Sequence, residues 1–160
     1  MVWLVDSGTF ERGLVHRRRT REGEITPHWG LDVSGALDTP VRAVLDGTIL
    51  WSGRRISGYG ITVAIRHHDR LSTMYGHLNQ AVDLGEGTAV TAGMIVGQMG
   101  RTCAGYNGDG IWVEPTWCRG MGVHLHWEVH PRARPRLGRA VERLDPVIWL
   151  KEHGVDMVRP

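Results

Sequence analysis

Nine histidines fall in 160 residues, and several sit at spacings that could hold a metal ion or move a proton. The stretch His124-Leu125-His126-Trp127-Glu128-Val129 alternates polar and apolar residues without a break. Such alternation predicts a β-strand with Leu125, Trp127 and Val129 on the core side and His124 and His126 together on the other face. Two residues along a strand span about 6.5–7 Å, at a rise of about 3.3 Å per residue. One imidazole of the pair can then bind a metal at about 2.0–2.1 Å while its neighbour reaches the attacking water or the substrate. Taken alone, such a pair reads as a solvated polar face.

A second constellation follows Pro27, where His28-Trp29-Gly30-Leu31-Asp32 sets an imidazole four residues before a carboxylate. A helix would bring the two side chains together, but Pro27 and Gly30 make a poor helix. An extended strand would hold them about 13 Å apart, too far for one ion. The chain must therefore bend, and Gly30 is where it bends most cheaply. A carboxylate with two imidazoles is a donor set suited to zinc, and three protein ligands leave one position open. His77, in Met74-Tyr75-Gly76-His77-Leu78, closes another expected strand; by itself it reads as a satisfied or exposed histidine.

Short apolar stretches broken by Gly, Asp and Asn must position these groups. Val41 to Trp51 is interrupted by Asp46-Gly47, a hairpin-turn signal. Ile61 to Ile65, Leu71 to Leu78, Val82 to Leu84, Met94 to Val96 and Val123 to Val129 follow, with turn residues every eight to twelve positions. The pattern predicts an all-β domain, mainly an antiparallel compact sheet or sandwich-like barrel, with one short C-terminal helix. Asp145 caps that helix, Pro146 opens it, Val147 to Leu150 supply apolar contacts and Gly154 ends it.

Composition narrows the class. Hydrophobic residues make up 41% and charged residues 22%, as in globular proteins rather than disordered tails. A formal net charge of +2 gives no argument for a nucleic-acid partner. No apolar run approaches the roughly 18 residues of a membrane span, so membrane insertion is not expected. The start, Met1 to Asp6, lacks the basic and apolar stretches of a signal peptide. The basic run His16 to Arg21 reads as a solvated face, with an anionic surface as the alternative partner.

Taken in order, these segments resemble the lysostaphin/LytM-type zinc metalloendopeptidases, which cleave the peptide part of bacterial peptidoglycan. His28 to Asp32 is similar to the first ligand motif, and Asp38 to Val41 with Ala43 and Asp46-Gly47 to the strands after it. Tyr59-Gly60, the stretch from His67 through Tyr75 to Leu78, and Gly93 to Gly100 come next. His124-Leu125-His126 with Trp127-Glu128-Val129 matches the second ligand motif, and Asp145 to Leu150 the end of the domain. The resemblance implies a duplicated-hybrid-motif β fold with zinc held by His28, Asp32 and His126. His77 and His124 would be the catalytic histidines. His124 is the candidate base, and His77 a donor to the oxyanion or an orienter of the water, two roles that could be exchanged. Glu128 reads as support for a ligand, His130 as surface, and His67 as outside direct contact.

The resemblance divides the chain into an N-terminal extension over 1–24, a peptidase domain over 25–150 and a tail over 151–160. It implies a monomer acting on peptidoglycan in the extracellular space, periplasm or cell wall, or as part of a phage virion, with lytic, antimicrobial potential. A non-catalytic wall-binding or amidase-activating module is the alternative, because the family has members that lost their ligands; here all five positions are retained. Relatives carry a short connection before the second motif, whereas 23 residues separate Gly100 from His124 here. This insertion, 101–123, holds Tyr106, Trp112 and Trp117, which either wall the substrate groove or pack on one another. It also holds Cys103 and Cys118, enclosing 14 residues. In an oxidising compartment their pairing would be worth roughly 3 kcal/mol; the alternative is two reduced thiols.

Overall fold

The alternation around His126 forms a strand over His124–His130. Leu125, Trp127 and Val129 are fully buried in the main core, as expected. The computed structural model describes residues 2–13, 15–19, 25–137 and 142–159, and of residues 15–19, 25, 26 and 117 the backbone alone. The larger sheet runs, in spatial order, Trp112–Val113, Gly105–Tyr106, Gly47–Ile56, Gly60–Arg66, Ser72–Leu78, His124–His130, Leu31–Ser34 and Thr9–Arg12. Ala89–Val90 adds to Gly47–Ile56 off that path. The smaller sheet is Gln80–Ala81, Ile95–Gln98, Pro40–Arg42, Val2–Val5 and Val155–Val158.

Leu4, Val5, Val41 and Val96 from the smaller sheet share one core with Leu31, Val33, Ile65, Tyr75 and Trp127 from the larger. This is the β-sandwich expected of strands buried on one face. Pairing is antiparallel except between Val2–Val5 and Val155–Val158 and between Gly47–Ile56 and Gly105–Tyr106. The helix Pro146–Glu152 forms as expected: Asp145 accepts from the Val147 and Ile148 amides, and Trp149 and Leu150 enter the core. Gly154, at φ 62°, turns the chain out of the helix into Val155–Val158.

Two expectations are revised. Asp46-Gly47 closes no hairpin, because Pro40–Arg42 joins the smaller sheet while Gly47–Ile56 joins the larger. Asp46 instead accepts the Ala92 amide at 2.7 Å. Gly47 is needed for close approach, since a Cβ there would stand 2.4 Å from the Arg66 carbonyl oxygen. The segment read as an N-terminal extension also contributes structure. Val2–Val5 sits inside the smaller sheet, and Thr9–Arg12 pairs with Leu31–Ser34. Four-residue strands are too short to announce themselves by period. Within the basic run, the backbone of Val15–Arg19 pairs with Ile25–His28; its side chains, Thr20 and Arg21 lie outside what is described.

An ion pair ties the first strand to its neighbour. Arg42 donates Nε to Asp6 Oδ1 at 2.6 Å and Nη2 to Oδ2 at 2.9 Å, while Trp3 Nε1 donates at 2.7 Å. The Arg42 hydrogen bond outweighs the effect of burial and lowers the Asp6 carboxyl from 3.8 to about 2. A carboxyl depressed on folding stabilises the protein above its unfolded pKa, and that contribution fades as pH falls toward the folded one. Asp6→Asn is therefore expected to cost about 1–2 kcal/mol at pH 7. Urea denaturation should show the deficit shrinking between pH 4 and 2; a pH-independent deficit would contradict the ion pair's role.

Candidate metal centre

Three side chains from three strands converge on one point. His126 lies opposite Asp32 in the antiparallel register, and His28 ends the strand Ile25–His28 just before the bend. Asp32 Oδ1 is 3.0 Å from His28 Nε2 and 2.9 Å from His126 Nδ1, and the two nitrogens are 3.1 Å apart. All three residues are buried. Gly30 permits this for a reason other than its backbone freedom: a Cβ there would stand 2.7 Å from His126 Cε1 and 2.5 Å from the Trp127 carbonyl oxygen.

The remaining ring nitrogens fix the protons. His28 Nδ1 faces the Gly13 carbonyl at 2.8 Å, and a carbonyl can only accept. Nδ1 therefore carries the hydrogen, and the neutral ring offers its Nε2 lone pair. His126 Nε2 faces Glu128 Oε1 at 3.1 Å, so its hydrogen sits there and Nδ1 offers a lone pair. Two imidazole lone pairs and a carboxylate oxygen thus meet in a near-equilateral triangle. Tetrahedral donors at about 2.0–2.1 Å from zinc lie about 3.3 Å apart, and the observed separations come close to that.

Electrostatics favour positive charge at this point. Burial would raise the Asp32 carboxyl, but His126 and His28, when protonated on the nitrogens that face it, hold it far below the usual carboxylate range. Burial would lower His126, but Asp32 and Glu128 outweigh it and raise the imidazole to about 9. A proton or a metal ion can answer that demand. Glu128, fully buried, receives Tyr59 Oη at 3.0 Å and Arg143 Nε at 2.9 Å, and its Oε2 is 2.8 Å from His130 Nε2. Glu128, expected to support a ligand, is in contact with His126 through Oε1.

The other two histidines stand beside the triangle. The His77 and His124 ring centroids are 4.6 Å apart, and His124 Nε2 is 3.9 Å from Asp32 Oδ1. His124 Nδ1 donates to the Gly122 carbonyl at 3.0 Å and His77 Nδ1 to the Thr102 carbonyl at 2.8 Å. Each keeps an Nε2 lone pair. Burial, then the charges of His124 and His126, push His77 down to about 3, and burial also lowers His124. Both rings stay neutral near pH 7.

Other expectations fare differently. His130, read as surface, is fully buried: Ser72 donates to the Arg132 carbonyl and Leu144 to that of Val129, folding the later chain back over it. His67 is spent on the Asp46 carbonyl and Thr73, away from the triangle. Cys103 and Cys118 form a disulfide. Tyr106 and Trp112 pack edge to face at 5.2 Å under Arg55 and stay half exposed. Their strands lie three and four places from that of His77 in the sheet. The Trp117 side chain lies outside what is described. Gly13, Thr102 and Arg12, whose Nη1 is 3.7 Å from Asp32 Oδ2, were not singled out by sequence. Two of them act through backbone carbonyls, which leave no trace in residue type.

A buried His₂Asp triangle on a β-sandwich, with two neutral imidazoles beside it, defines a candidate metallohydrolase. The fold is that of the catalytic domain of the antimicrobial peptidase lysostaphin from Staphylococcus simulans, at TM-score 0.67 and 23% identity, covering 90% of this chain and 92% of that one. The profile of Peptidase family M23 matches residues 26–137, and the chain belongs to that family. The DD-carboxypeptidase/endopeptidase Mpg of Neisseria meningitidis serogroup B is 36% identical over 108 residues, 68% of this chain and 21% of that protein. A lipoprotein NlpD/LppB homologue of Pseudomonas aeruginosa is 37% identical over 73 residues, 46% of this chain and 24% of that protein. The chain thus spans about a fifth to a quarter of these relatives. Among the described residues no helix is long and apolar enough to cross a membrane.

Proposed function

We propose that the protein is a zinc-dependent endopeptidase that hydrolyses peptide bonds in bacterial peptidoglycan, in the stem peptide or the cross-bridge. The observation that carries this reading is the convergence of donor atoms from His28, Asp32 and His126, with one ring hydrogen of each imidazole directed to Gly13 or Glu128. When bound there, zinc supplies a Lewis acid for the scissile carbonyl and makes water acidic enough to serve as nucleophile near neutral pH. His124, with its hydrogen committed to Gly122, takes a proton from the water on Nε2 and returns it to the leaving amine. His77 orients the water through its own Nε2 lone pair. As a neutral ring with its hydrogen on Thr102, it donates to the oxyanion only after taking up a proton.

One chain supplies all five side chains, in keeping with a monomer. A disulfide and a peptidoglycan substrate both fit action outside the cytoplasm, in the cell wall, the periplasm or a phage virion, where lysis would be antimicrobial. Tyr106 and Trp112, half exposed, would offer flat faces to substrate, and Trp117 is proposed with them on its sequence position alone. A wall-binding or amidase-activating module would need none of the five groups, and their shared burial and oriented protons favour the enzyme. Purified peptidoglycan is expected to clear in a turbidity assay, to stop clearing with chelator and to resume with added zinc. Mass spectrometry of the fragments would identify the bond. No clearing at any zinc level, with metal bound, would favour the module.

A further inference from the structure

The hydrogen bond that fixes His77 comes from the inserted loop, at a residue tied into the sheet from several sides. His77 has φ 59°, a left-handed conformation that a β-carbon makes costly, and it interrupts the register between Gly60–Arg66 and Ser72–Leu78. Its amide donates to the Tyr59 carbonyl at 2.7 Å and its Nδ1 to the Thr102 carbonyl at 2.8 Å. The Thr102 hydroxyl bridges the two strands at the irregularity, accepting from the Ile61 amide at 2.9 Å and donating to the Leu78 carbonyl at 2.6 Å. Gly60 lets the loop lie this close, since a Cβ there would be 2.2 Å from the Thr102 carbonyl. The next residue, Cys103, accepts the Gly58 amide at 2.9 Å and is held by its disulfide to Cys118.

We infer that Thr102 is a positioning residue for His77: its hydroxyl clamps the loop across the strand irregularity, so that its carbonyl holds the imidazole as the Nδ1–H tautomer with the Nε2 lone pair free for the reaction. The inference rests on the reading of His77 as a catalytic histidine. Thr102→Val keeps the shape and removes both hydroxyl bonds; Thr102→Ser keeps them. Nitrogen-15 NMR of the histidine rings reads the tautomer directly, whether or not the protein cleaves anything. Wild type and Thr102→Ser are expected to hold His77 as Nδ1–H, while Thr102→Val populates the other tautomer. In hydrolysis of peptidoglycan fragments, Thr102→Val should lower kcat about 10- to 100-fold, with KM and bound metal unchanged and Thr102→Ser near wild type.

An unchanged tautomer in Thr102→Val, or a kcat loss that Thr102→Ser shares in full, would overturn the inference. So would loss of bound metal in step with activity, which marks general damage to the site. If Thr102→Val does not fold, Thr102→Ala takes its place under the same criteria. A wild type that cleaves no peptidoglycan yet holds His77 as Nδ1–H would refute the functional reading while leaving the clamp established.

Discussion

Replacing His126 by alanine is expected to remove metal binding and hydrolysis together. Its Nδ1 is one corner of the triangle, 2.9 Å from Asp32 Oδ1 and 3.1 Å from His28 Nε2, and among the described residues His28, Asp32 and His126 are the group whose ligand atoms converge this closely. Mutating residues that merely support a metal ligand costs about 10- to 100-fold in affinity, so loss of a ligand should exceed about 100-fold. Activity should fall to background. Asp32 and Glu128 would each lose a buried partner, a change that costs about 3–5 kcal/mol when a buried ion pair is broken. Thermal melting must therefore accompany the metal measurement. A folded His126→Ala that binds zinc as wild type does would remove His126 from the ligand set.

His124→Ala should separate what His126→Ala destroys together. The triangle is intact without it, so metal content and affinity should stay within a few-fold of wild type. Hydrolysis should fall by about 10²–10⁴, the contribution of a positioned general base. If metal is lost in parallel, His124 is a ligand and the roles of the two histidines on this strand are exchanged. The pH profile offers a second check. Burial holds both His124 and His77 below the ordinary 6.5, His77 at about 3, and an imidazole is a base only above its pKa. The histidine pair should thus remain competent below pH 6.5. An acid limb of ordinary histidine pKa that vanishes in His124→Ala would contradict the burial described for it.

The chemistry was legible where it depends on side-chain type and spacing. The period of two around His126 places its face correctly, because successive side chains of a strand point to opposite faces even where both faces are buried. The gap from His28 to Asp32 demands a bend, and the bend occurs at Gly30. The cause is not backbone freedom: the glycine makes room for the His126 ring and the Trp127 carbonyl, neighbours distant in sequence. The same limit explains Asp46-Gly47, a turn dipeptide whose flanking segments belong to different sheets. His130 shares its period with His126, but only the fold shows the returning chain that covers it. Gly13 and Thr102 orient two of the histidines through backbone carbonyls, a property every residue possesses and no motif can mark.

The central place of Val2–Val5 in the smaller sheet sets a limit on how the protein can be trimmed. Cutting back to the span that matches the family, residues 26–137, would leave one long side of Pro40–Arg42 without its hydrogen-bonding neighbour. A bared strand margin of that kind recruits other chains, and sticky, poorly soluble material is the usual result. The shortened product would also lack the Gly13 oxygen that sets the His28 tautomer. A fragment drawn from family boundaries alone would thus be blunted twice, once in solubility and once in the orientation of His28 at the candidate metal centre.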